Sequence, residues 1–150
     1  MVGKIIIRTA QNDDVKHMAG LLAELFSIED DFVIDRDTQI LGLQLLLETS
    51  YSTVLVAQMD HCVVGMVSMQ CFISTAVGGK VGLIEDMIVT RDFRRMGIGG
   101  MLLKAMIHTS EDLGYARLSL GADMRNHTAI ALYRTFGFET SNMGLMYRIA

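Results

Sequence analysis

A chain of 150 residues is long enough for one domain that buries about 68–70% of the surface its unfolded form exposes. Half the residues are apolar and a fifth are charged, and a net charge of −4 argues against a nucleic-acid partner, which selects a basic stripe. Two cysteines, Cys62 and Cys71, and four scattered histidines supply neither a disulfide framework nor a metal cage. No metal is therefore expected, and both cysteines read as reduced packing residues of a cytoplasmic protein. The apolar runs fall short of the ~18–20 residues that cross a bilayer, and Met1 to Arg8 holds no signal-peptide core. Neither a membrane partner nor export is expected.

In chain order, Lys4 to Thr9 predicts a first strand, and Asn12 or Asp13 a cap for a helix carrying Val15, Met18, Ala19, Leu22 and Leu25 at helical spacing. An acidic connection, SIEDDFVIDRD, leads to a second helix from about Asp37 to Glu48, apolar on more than one side. The period then changes. Thr53 to Met59 and Cys62 to Ile73 read as strands joined at Asp60-His61, and Val81 to Val89 follows a Gly78-Gly79 turn. Ile98, Met101, Leu102, Ala105 and Met106 mark a third helix, ended by Gly114, with Met101 and Met106 read as core fillers. Ala116 to Leu120 is a short strand, Asn126 opens a last helix closed by Gly137, and Phe138 to Ile149 reads as two short strands around Asn142. With no proline, linker or repeat, residues 1–150 form one expected domain: a mixed sheet with helices on both faces.

The stretch RRMGIGGMLL, residues 94 to 103, places two arginines and three glycines where a helix begins. Glycine costs roughly 0.5–1 kcal/mol against alanine inside a helix. A helix N-terminus, however, carries unpaired N–H groups and about half a positive charge, and glycines let an anion approach them. Arg94 and Arg95 add forked donors suited to phosphate oxygens. The dinucleotide fingerprint fails because Leu102 stands where its last glycine belongs, and the P-loop fails because Val81 follows Gly79-Lys80. A diphosphate on a different frame is the ligand this pattern implies.

Arg94-Arg95-Met96-Gly97-Ile98-Gly99 resembles the R/Q-x-x-G-x-G/A motif of the GNAT superfamily of N-acetyltransferases. IEDMIVTRDF stands ahead of it as that family's acyl-CoA strand does, and Asn126, Ala129, Leu132, Tyr133, Gly137 and Phe138 are similar to its N-x-x-A-x-x-L-Y-x-x-x-G-F. The resemblance implies a GNAT fold, α/β of the mixed α+β kind, with a mostly antiparallel sheet of about seven strands and about four helices. It implies acetyl-CoA as co-substrate, held by Met87, Ile88 and Val89 and by Arg94, Arg95, Met96, Gly97, Ile98, Gly99 and Gly100. Gly100 departs from the family, which often has a basic or polar residue there. Asn126 either touches the cofactor or only caps its helix.

For an amine attacking a thioester, the resemblance makes Tyr133 the acid that protonates the departing thiolate. A backbone N–H in Met87 to Val89 becomes the oxyanion donor. Glu85 is the first candidate for the base and Asp86 the second; as neighbours on a strand they are expected on opposite faces. Glu29, Asp30, Asp31 and Asp35 crowd the acceptor side, either as a solvated face or as a trap for a cationic amine. That acidic connection is similar to those of diamine and polyamine acetyltransferases. The implied reaction is acetyl transfer to a primary amine of a small molecule or peptide by direct attack, with a homodimer implied by family alone. A non-catalytic acyl-CoA-binding or sensing module is the alternative.

Overall fold

Strand β1 (Ile5–Thr9) opens the fold of the computed structural model, which describes residues 3–150; Met1 and Val2, inside the expected domain span, lie outside the described residues. A 3₁₀ turn at Asn12–Asp14 leads into helix α1 (Val15–Ile28). Asn12 and Asp13 lie inside that turn, so neither caps α1 as expected, and Asp14 occupies the cap position. Its carboxylate accepts the Gln11 N–H at 2.8 Å and both forked nitrogens of Arg8 at 2.7 and 2.9 Å. The Arg8 guanidinium holds the Asp14 carboxyl below the usual carboxylate range.

Helix α2 (Arg36–Glu48) begins at Asp35, whose carboxylate accepts the Thr38 N–H at 3.3 Å and the Thr38 hydroxyl at 2.9 Å. Strands β2 (Ser52–Met59), β3 (Cys62–Ser74) and β4 (Gly79–Val89) form an antiparallel meander. Helix α3 (Ile98–Asp112) then crosses over to β5 (Leu118–Leu120), which pairs parallel to β4, and α4 (His127–Thr135) follows. The sheet order is β1-β2-β3-β4-β5. A parallel pair needs such a crossover, whereas antiparallel neighbours need only a turn. Gly114 at φ +74 and Gly137 at φ +89 close α3 and α4 in the left-handed region, as their positions predict.

Alternation along the central strands divides the core into two layers. Val54, Val56 and Met66 pack against Met18, Leu22 and Leu43 of α1 and α2. Leu55, Ala57, Val67 and Met69 face Ile98, Leu102, Leu103 and Met106 of α3 on the opposite side. Among the described residues, no helix is long and apolar enough to cross a membrane.

The mixed α/β fold with four α-helices matches expectation, but the sheet has five strands rather than about seven. Phe138 to Ile149 forms neither of the two strands expected around Asn142. Strands gain stability by burying one face, and Met143, Met146 and Ile149 are 86%, 96% and 86% exposed. The tail instead runs past β5 and the acidic connection, with Leu145 against Gly121 and the Tyr147 ring 6.1 Å from that of Phe32. Cys62 is free but exposed beside the Asp60-His61 turn, so it is not the packing residue expected.

Candidate active site

The site is organised by a break in the β3–β4 ladder. Met66 pairs with Ile88 and Ser68 with Glu85, so one residue of β3, Val67, stands opposite two of β4, Asp86 and Met87. The extra residue is Asp86, which adopts φ +54. A bulge of this kind lets two successive side chains share a face. Ile84 and Met87 both pack toward α3, while Ile88 packs toward α1 and α2. Glu85 and Asp86 therefore both lie on the α1–α2 side. The opposite-face expectation fails because a regular strand parity was applied across a bulge.

Asp86 reaches the floor of a pocket between α1, α2 and the sheet, whereas Glu85 is exposed. Burial, then the neighbouring Glu85 charge, pushes the Asp86 carboxyl up to about 6, with the Ser68 hydroxyl opposing the shift. Ser68 is buried and donates to the Glu85 carbonyl at 3.1 Å. At the end of α1, burial raises the Glu29 carboxyl, helped by the charges of Asp86, Asp123, Asp31 and Glu85. Across the cleft, burial and then the Glu29 charge raise the Tyr133 phenol, whose ring meets Phe138 edge-on at 6.2 Å. The fold thus gathers Asp86, Glu29 and Tyr133 from three separate elements.

Between β4 and α3 the chain turns through Arg95 at φ +62 and Gly97 at φ +79. No side chain caps α3, and its first ladder bond runs from the Met101 N–H to the Gly97 carbonyl at 3.0 Å. The N–H groups of Ile98, Gly99 and Gly100 precede that bond and stay available to an anion. Gly97 is needed for its left-handed backbone, and a side chain there meets open space. A Cβ at Gly99 would lie 3.4 Å from both Leu132 of α4 and Met87 of the bulge, an ordinary van der Waals contact that places this residue between the two elements. β5 pairs with β4 only from Gly82 to Ile84, leaving the following part of that β4 edge unpaired. An uncapped, glycine-lined helix start beside an open strand edge fits a CoA pyrophosphate and pantetheine arm.

The two arginines are not equivalent. Arg94 donates through Nε to the Val89 carbonyl at 2.7 Å and approaches Glu24 at 3.4 Å, while Arg95 and Met96 are exposed. Glu24 of α1 also accepts the Thr90 hydroxyl at 2.8 Å and the Arg91 N–H at 2.9 Å. One carboxylate therefore ties the start of the β4–α3 loop to α1. Glu24 is absent from the sequence-derived site, although a lone charge within the otherwise apolar GLLAELF is the available signal.

Asn126 caps α4, its Oδ1 accepting the Ala129 N–H at 3.1 Å. The acidic connection is largely committed elsewhere. Asp30 pairs with Arg125 at 2.8 Å, and Arg125 grips Asp123 through both carboxylate oxygens at 2.7 and 2.9 Å. Those bonds hold Asp123 down at about 2. Asp35 is the α2 cap, Asp31 is exposed, and only Glu29 turns inward.

The pocket has a volume of about 330 Å³. Leu22 and Phe26 of α1 with Leu43, Leu45 and Leu46 of α2 make its walls, and Asp86 is its one carboxylate. Gln39 and Gln70 add amides, and Gly42 leaves a gap in the α2 wall.

The sequence model of the acetyltransferase (GNAT) family matches residues 18–138, and the chain belongs to that family. A [ribosomal protein bS18]-alanine N-acetyltransferase of Salmonella typhimurium is 34% identical over 79 residues, a match spanning 53% of each chain. The chain thus spans about half the length of this curated relative. A Bacillus halodurans C-125 structure described as a transcriptional regulator superposes with a TM-score of 0.86 at 21% identity, covering 97% of this chain and 100% of that one. An aminoglycoside N-acetyltransferase, AAC(6')-Iy in complex with CoA, gives a TM-score of 0.84 at 17% identity over 99% and 97% of the two chains. At such identities these structures establish the fold.

Proposed function

We propose that this protein, acting as one domain, moves an acetyl group from acetyl-CoA to a primary amine of a small molecule or peptide by direct attack. The observation that carries the reading is the β4 bulge. It sets Asp86 in the acceptor pocket while its neighbour Met87 packs beside the open start of α3. Family membership and the CoA held by a protein of the same fold support the co-substrate. The Salmonella relative, named for acetylating an alanine of a ribosomal protein, supports an amine acceptor.

In this reading the N–H groups from Gly97 to Gly100 hold the pyrophosphate, with exposed Arg95 beside them and Arg94 fixing the loop. Met87, Ile88 and Val89 line the acyl arm, and the unpaired edge of β4 offers an oxyanion donor. Asp86, rather than the exposed Glu85, accepts the acceptor's proton, directly or through water. A carboxylate titrating near 6 is charged at pH 7 yet far more basic than an ordinary aspartate. As the C–N bond forms and the C–S bond breaks, the Tyr133 phenol donates its proton to the departing thiolate. The raised phenol stays protonated at neutral pH, as an acid must. Free Cys62 and Cys71 fit a cytoplasmic setting, and homodimerisation belongs to the same family-based reading.

The test is release of free thiol from acetyl-CoA with a panel of amines, beside calorimetric binding of CoA. Amine-dependent thiol release supports the transferase. Tight CoA binding with no release for any amine overturns it in favour of a sensing module.

A further inference from the structure

We propose that the acceptor is a primary amine bearing a single positive charge on an apolar body, rather than a polyamine or an aminoglycoside-like polycation. The inference rests on the transferase reading and names the substrate class for its acceptor site. Three observations carry it. The pocket walls are Leu22, Phe26, Leu43, Leu45 and Leu46, and a second ammonium among them would lose water and meet only the neutral amides of Gln39 and Gln70 and the Thr49 hydroxyl, with no second carboxylate. Asp86 is the one carboxylate in the lining, which matches one ammonium. In the acidic connection Asp30 pairs with Arg125 and Asp35 caps α2, and none of its carboxylates, the inward Glu29 included, is among the residues lining the pocket.

Gly42 is the independent observation. It stands in the middle of α2, where glycine weakens a helix. Its φ is not left-handed, and a Cβ added there meets no heavy atom within 4 Å. Neither backbone geometry nor close packing requires glycine at this position. What the missing side chain does provide is space in the pocket wall, one helical turn from Leu45 and Leu46. At about 330 Å³ the pocket lies at the small end of ligand sites, near the lower bound of about 300 Å³. Such a volume suits an alkyl or arylalkyl amine, or the first residue of a peptide with an apolar N-terminal side chain.

The test compares kcat/KM for methylamine, hexylamine, phenethylamine, putrescine and spermidine, with the peptide Leu-Gly-Gly distinguishing a peptide from a free amine. Hexylamine or phenethylamine should exceed putrescine and spermidine by about tenfold or more, the discrimination expected when methylenes fill an apolar site. Gly42→Leu narrows the gap from a Cβ that itself meets no heavy atom within 4 Å. It should lower kcat/KM for hexylamine by about tenfold while changing that for methylamine by less than about threefold. Gly42→Ala, which favours the helix, controls for folding, since it should melt no lower than the parent. Preference for spermidine or putrescine overturns this inference and leaves the transferase reading standing. So does an equal loss for methylamine and hexylamine in a folded Gly42→Leu. No thiol release with any amine overturns the transferase reading, and this inference with it.

Discussion

Asp86 is disfavoured twice in the folded chain, by a left-handed backbone and by burial of its charge. Because its carboxyl is raised above the unfolded value, the folded state binds the proton more tightly. Stability is therefore lost as pH climbs from about 4 through about 6, and the loss is complete at pH 7. Asp86→Asn tolerates the same backbone and removes the charge. It should raise stability at pH 7 by on the order of 2 kcal/mol, an advantage that disappears below about pH 4. The same variant should lower kcat by about 10²–10⁴-fold and abolish the acidic limb of the rate profile near pH 6, whereas Glu85→Gln should only shift it downward. Urea melts and steady-state kinetics across pH read both effects. Tyr133→Phe keeps its packing on Phe138 but removes the proton, so kcat should fall by roughly 10²–10⁴-fold with KM little changed. A near-parental kcat would make Tyr133 a packing residue. Tyr133 and the glycines were legible in the sequence because a spaced motif places them. The choice between Glu85 and Asp86 was not, since both residue types fit and only the φ of +54 decides which faces inward.

Among the elements, the last turns of α1 link both halves of the cleft. Glu24 holds the β4–α3 loop through Thr90 and Arg91, and Glu29 turns toward Asp86 and Tyr133. Glu24→Ala loses all three partners and should weaken CoA binding by about tenfold, the scale of a charge-assisted hydrogen bond. Glu24→Gln keeps an acceptor for the Arg91 N–H and should stay within about threefold of the parent. Calorimetry distinguishes the roles, for equal losses in both variants would show that charge rather than loop position matters. A purely structural Glu24 would lower the melting temperature and leave CoA affinity alone. Helices and strands were readable where periodicity and glycine punctuation agree, as in α3 ending at Gly114 and α4 at Gly137. The reading failed at the tail, where an alternating apolar pattern exists but no strand partner buries either face. It also failed for Met101, which has the spacing of a core residue yet is 39% exposed, while Met106 is fully buried.

Across the whole molecule, the net charge of −4 includes carboxylates with structural partners, among them Asp14, Glu24, Asp30, Asp35 and Asp123. Replacing Asp30, Asp31 and Asp35 together with Asn should cost less than about 1 kcal/mol, since Asn caps a helix about as well as Asp and the exposed Asp30–Arg125 pair contributes little. The KM for a monoamine should move less than about twofold at physiological salt, where steering by exposed charges is screened within about 8 Å. A large, salt-sensitive rise in KM would restore the acidic run as an electrostatic trap. The sequence could not separate these cases, because a charge that caps a helix and a charge that meets a ligand use the same residue type. The β4 bulge, finally, makes Asp86 an insertion in the geometric sense. Removing residue 86 from the chain leaves Ser68 opposite Glu85, Val67 opposite Met87 and Met66 opposite Ile88, three residues against three. Every other side chain keeps its present face, whereas removing Met87 instead restores the same register but sets the Asp86 carboxylate opposite Val67, toward the apolar α3 layer. The candidate base thus occupies the position in the bulge whose excision leaves every remaining β4 side chain on its present face. A chain lacking residue 86 should fold and resist urea at least as well as the parent while turning over no amine, and the chain lacking residue 87, which turns a carboxylate toward the apolar α3 layer, should resist urea less well than either.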